Sequence, residues 1–223
     1  VAAVEEGRGI YDNIRKTLQY LLAGNTGELL LMTVCVILGL PMPLLPIHLL
    51  WINLVTDGLP ALCLATDPID PDVMKRHPRS QSENITNRSF FRTMALTGFL
   101  TTGVSFATYF YVLQTGTLET ARTYAFAVLV FAELLRSFGA RSETKPVWRI
   151  PLFTNANLVI VVAISFGLQV WSQHNEELGG FLKTSYMSFV DCLILVAVGA
   201  IPLLMLELVK VGRNAWLKNK PLI

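Results

Sequence analysis

The chain has 223 residues, of which 52% are hydrophobic and only 15% charged, with a mean hydropathy of +0.50 and a net charge of +2. That balance excludes an ordinary soluble domain and fits a polytopic membrane protein; a nucleic-acid partner is not expected. Cys35, Cys63 and Cys192 lie in or beside apolar segments without metal-ligand spacing, so they read as small packed hydrophobes and imply no disulfide framework. With no initial methionine and no signal-peptide pattern, the sequence is expected to be a piece of a longer polypeptide.

Residues 4–40 begin with Glu5, Glu6, Arg8, Asp12, Arg15 and Lys16 and become apolar from Leu18, with no proline before Pro41. At 1.5 Å per residue such a helix is about 50 Å long, against a hydrocarbon core of roughly 30 Å, so its charged part is predicted to project as a stalk. A turn containing Pro41, Pro43 and Pro46 leads into a second helix over 47–65. Residues 66–88 form a polar loop with prolines at 68, 71 and 78. Four further apolar runs, about 89–113, 120–138, 152–171 and 186–209, bring the count to six membrane helices.

Of the 18 Lys and Arg residues, only Arg122 and Lys183 fall on the side of the first, third and fifth turns. All the others lie with the stalk, the long loops and the tail, so the positive-inside rule predicts both termini in the cytoplasm. The expected fold is all-α: a six-helix transmembrane bundle with a cytoplasmic stalk and a partly unwound second helix, forming one C-terminal transmembrane domain over 1–223.

The unwinding is predicted from residues 50–60, where Asn53, Thr56 and Asp57 share one helical face at i, i+3 and i+4. Gly58 loosens the backbone there, and Pro60 has no amide hydrogen for the carbonyl of Thr56. Irregular backbone at membrane depth is tolerated where it lines a cavity. Glu28 and Glu133 also sit mid-helix, Asn25 shares a face with Glu28, and Gly24 and Gly27 permit close helix approach. Asp191 and Glu207 are assigned to the membrane interfaces, as is His48; Tyr109, Phe110, Tyr111 and Trp171 read as interface anchors.

Asn25, Glu28, Asn53, Thr56, Asp57 and Glu133 together offer about seven or eight oxygens, within the six to eight taken by a hard cation such as calcium. Inserting three acids costs roughly 8–10 kcal/mol on translocon scales, whereas polar contacts between membrane helices return about 0.6 kcal/mol each. Structural glue therefore explains these acids less well than an ion site does. No nucleophile with a base, phosphate-binding loop or cysteine metal cluster is present.

The runs Val1-Ala2-Ala3-Val4-Glu5-Glu6-Gly7-Arg8, Gly24-Asn25-Thr26-Gly27-Glu28 and Leu50-Trp51-Ile52-Asn53-Leu54-Val55-Thr56-Asp57-Gly58-Leu59-Pro60, with the loop ending Met74-Lys75-Arg76-His77-Pro78-Arg79, resemble the C-terminal membrane part of P-type calcium-transporting ATPases. The resemblance covers essentially the whole chain, as the fifth to tenth of the family's ten membrane helices. It implies a first calcium site built from Asn25, Glu28, Thr56, Asp57 and Glu133, and a second sharing Asp57 and adding Asn53 with groups of the fourth helix. The loop over Asp67 to Arg79 and the stalk are implied to couple phosphorylation to the membrane helices. Arg136 departs from the family's neutral polar residue at this position. One turn from Glu133, it either pairs with that carboxylate or snorkels to the interface.

The resemblance thus implies an ATP-driven pump of the cell membrane, exporting Ca²⁺ from the cytoplasm in exchange for protons carried on Glu28 and Glu133. The phosphorylated-aspartate motif DKTGT and the nucleotide-binding domain are absent, so this segment alone is expected to hydrolyse no ATP. ATP and Mg²⁺ would act only in the full-length parent. The partners are then the bilayer and the parent's N-terminal membrane and cytoplasmic domains. Alternatives are a pump domain for Na⁺, K⁺, H⁺ or Mn²⁺, a channel or secondary transporter, and a plain membrane anchor.

Overall fold

A computed structural model describes residues 1–76 and 84–218. His77, Pro78 and Arg79 of the loop motif, and Lys220 of the basic tail, lie outside the described residues. Among the described residues the chain is helical without strands, and six helices are long and apolar enough to cross a membrane. These are α1 (Ala2–Ile37), α2 (Pro46–Ala65), α3 (Arg88–Thr115), α4 (Leu118–Ala140), α5 (Leu152–Ser172) and α7 (Phe189–Lys218); a short α6 (Glu176–Leu182) lies between the last two.

Local sequence explains where these helices stop and start. α1 ends in a Schellman turn, in which Leu40 N–H donates to Cys35 O at 2.9 Å, Gly39 N–H donates to Val36 O at 3.1 Å, and Gly39 takes φ +65°. Asn87, Thr117, Asn155 and Asn175 are N-caps, each side chain accepting a hydrogen bond from the backbone N–H three residues on.

α4 is the central column: every residue from Ala125 to Leu134 is buried, and it packs against α3 and α7. α1 packs along α3 through small residues, with Thr102 Oγ1 donating to Gly27 O at 3.0 Å. Opposite the stalk, His48 is fully buried, stacked on Phe126 with ring centroids 4.4 Å apart, and its Nε2 lies 2.8 Å from Leu182 O of α6. Its second ring nitrogen receives Leu45 N–H, so protein groups take the place of the interface expected for it. Tyr109, expected at an interface, is likewise buried, its hydroxyl donating to Pro41 O at 2.7 Å, whereas Tyr111 and Trp171 are exposed. The three cysteines are buried and free.

Candidate cation site

The site begins with the break in α2. Pro46–Trp51 is α-helical, Ile52–Gly58 widens into a π turn, and Leu59–Ala65 resumes the α-helix. The predicted loosening is therefore a wide turn with continuous helical backbone. Pro60 supplies no N–H to the carbonyls four and five residues back, Thr56 and Val55. Other helices serve both: Tyr20 Oη lies 3.1 Å from Thr56 O, and Ser165 Oγ donates to Val55 O at 3.0 Å. The turn directs Thr56 and Asp57 into the bundle, where both are buried, and leaves Asn53 exposed with its amide donating to Leu49 O.

α1 and α4 bring the remaining acids. A methyl group built on Gly24 would stand 3.0 Å from Asp57 Oδ2, 3.2 Å from Glu133 Oε2 and 3.4 Å from Arg136 Nη2, so these three side chains converge on the bare backbone of α1. Glu28 lies one turn further along the same face and is buried, while Asn25 is half-buried. Glu28 Oε1, Thr56 Oγ1, both carboxylate oxygens of Asp57, and Glu133 Oε1 are buried without a hydrogen-bond partner. Unpartnered buried carboxylate oxygens are strongly disfavoured, and an all-oxygen set suits a hard cation. Among the described residues, however, no three acidic, histidine or cysteine side chains close into a metal-binding cluster.

Arg136 resolves the choice left open by the sequence. It is buried, its Nε donates to Glu133 Oε2 at 3.0 Å, and its Nη2 bonds the same oxygen and Tyr20 O, the latter at 3.0 Å. The guanidinium also lies 4.5 Å from the centroid of the Tyr20 ring. It therefore pairs within its own helix and does not snorkel. With its three acids ionised, the cluster of three carboxylates and one guanidinium has a formal charge of −2.

Two supporting features lay outside the sequence reading. Asp67 is a buried hub: it accepts Lys16 Nζ at 2.9 Å, Arg141 Nε at 3.0 Å and Asn155 Nδ2 at 2.8 Å, and its backbone carbonyl accepts Asn13 Nδ2 at 2.7 Å. Beside it, Lys145 bridges Asp70 and Asp72 at 2.8 Å each. Hydrogen bonds from Lys145 and Lys75 hold the Asp72 carboxyl down at about 2, Asp70 is lowered by Lys145 and the Asp72 N–H, and the two aspartates raise Lys145 in return. Glu207, expected at an interface, is buried, accepting Lys210 Nζ at 2.7 Å and Val147 N–H at 2.8 Å.

The profile of the family "Cation transporting ATPase, C-terminus" matches residues 41–212. The chain is 40% identical over 92% of its length to a calcium-transporting ATPase of Bacillus subtilis, of which it covers 23%. It is 37% identical over 96% of its length to calcium-transporting ATPase 1 of Bacillus cereus, covering 26% of it, and 29% identical over 99% of its length to mouse calcium-transporting ATPase type 2C member 2, covering 24%. The chain thus spans about a quarter of the curated relatives it matches. Matched over most of its length, it belongs to the cation-transporting P-type ATPases as a C-terminal membrane region.

Proposed function

We propose that this chain is the ion-binding membrane domain of an ATP-driven pump that moves Ca²⁺ out of the cytoplasm. The observation that carries the reading is the set of five buried, unpartnered side-chain oxygens from α1, α2 and α4, in a cluster whose formal charge is −2 when its three acids are ionised. One divalent cation neutralises that cluster. Because Arg136 engages Glu133, the reading is one calcium per cycle, ligated by Glu28, Thr56 and Asp57 and supplemented by Asn25 and Asn53. The names of the curated relatives support calcium as cargo, and the basic residues gathered on the stalk side support cytoplasmic termini. ATP hydrolysis belongs to the rest of the pump, which would tilt these helices to open the site alternately to each side. After release, protons would replace the metal on Glu28 and Glu133.

Equilibrium calcium binding to the full-length pump tests this. Wild type should bind one calcium selectively over sodium and potassium, Glu28→Gln and Asp57→Asn should lose binding, and Arg136→Ala should raise the stoichiometry. Unselective binding, or acid variants that bind as wild type does, would overturn the calcium assignment.

A further inference from the structure

α5 supplies none of the proposed ligands, yet it meets α2 through polar contacts at three levels. Asn155 Nδ2 donates to Cys63 O at 3.0 Å, Ser165 Oγ donates to Val55 O at 3.0 Å, and Trp51 Nε1 donates to Gln169 Oε1 at 3.0 Å. As residue numbers rise along α5 they fall along α2, which is one antiparallel register held across the whole span. The outer two contacts lie in the α-helical parts that flank the π turn, and the middle one lies within it.

The middle contact has a specific cause. Pro60 leaves the Val55–Thr56 carbonyl pair short of a donor, and an unmet carbonyl at membrane depth favours any rearrangement that supplies one. Most comparable hydroxyls in the bundle are spent on their own helix: those of Thr26, Thr33, Thr66, Thr108 and Thr123 each donate to the carbonyl four residues back. Ser165 instead crosses to another helix, and its acceptor immediately precedes Thr56 and Asp57.

We infer that Ser165 is a positioning residue for cation binding. Its hydroxyl fixes the Val55 peptide so that the next two side chains point into the site, while Gln169 and Asn155 hold the flanking segments. Fixing the wide turn in advance spares the ion the work of ordering it.

This inference rests on the proposed function, and the experiment separates the two. Calcium-dependent ATP turnover is measured on the full-length pump as wild type, Ser165→Ala, Ser165→Thr and Trp51→Phe, with thermal unfolding in detergent followed alongside. Ser165→Ala should raise the half-saturating calcium concentration about tenfold, with turnover at saturating calcium and the unfolding midpoint near wild type. Ser165→Thr, which keeps the hydroxyl, should restore the affinity, and Trp51→Phe should move it less, about two- to threefold. A half-saturation unchanged in Ser165→Ala, a loss that Ser165→Thr does not restore, or a fall in unfolding midpoint and turnover without a change in affinity would overturn the positioning role. Wild-type turnover that does not respond to calcium would overturn the functional reading itself.

Discussion

Arg136 and Gly24 together set what the acids of this site can do. Arg136 faces Glu133 inside the bundle, and α1 approaches both only because position 24 carries no side chain. Gly24→Ala would place a methyl 3.0 Å from Asp57 Oδ2 and 3.2 Å from Glu133 Oε2, tighter than ordinary packing allows. The carboxylates must move or α1 must back away, and either change separates Asp57 from Glu28. Calcium affinity of the full-length pump should therefore fall about tenfold or more in Gly24→Ala, while Gly7→Ala, where nothing lies nearby, should bind as wild type does. Equal affinities in a direct binding titration would show that the acids do not converge on this glycine in the working site.

Among the elements, the six spans were legible because stretches of about twenty predominantly apolar residues admit few other readings, and the break in α2 was legible because Gly58 and Pro60 stand beside an acid. The partners of the break were not. Ser165 and Gln169 are single polar residues in an apolar run, and no periodicity says which carbonyl of another helix they will meet. Asp67 was hidden for the opposite reason: an aspartate in a polar, proline-rich loop reads as solvated, and only the fold brings Lys16, Arg141 and Asn155 around it. Its burial makes it the tie between the stalk of α1, the end of α4 and the start of α5. Asp67→Asn leaves the buried Arg141 and the half-buried Lys16 facing a neutral amide, a loss of about 3 kcal/mol on the scale of broken buried pairs. The unfolding midpoint of the detergent-solubilised pump should drop clearly. Asp72→Asn, at a solvated carboxylate, should leave it nearly unchanged, and equal midpoints would demote the hub.

At the scale of the whole molecule, α2 has two faces of different character. Ile52, Thr56, Asp57 and Leu64 are buried against the bundle, whereas Leu50, Leu54 and Leu62 are 60–67% exposed, with Asn53 among them. An apolar face needs only lipid, but an asparagine amide at membrane depth needs polar company, and among the described residues its side-chain hydrogen bond goes to Leu49 O of its own helix. The curated relatives are about four times longer than this chain, and on the proposed function the remainder of the pump would cover this face, so that Asn53 would gain its ligand role on assembly. Asn53→Ala in the full-length pump should accordingly weaken calcium binding about tenfold without removing the site that Glu28 and Asp57 define, a change that a binding isotherm resolves from the complete loss expected for Asp57→Asn. An isotherm identical to wild type would place Asn53 against lipid and confine the site to the inner face of α2, with α1 and α4 as its only other walls.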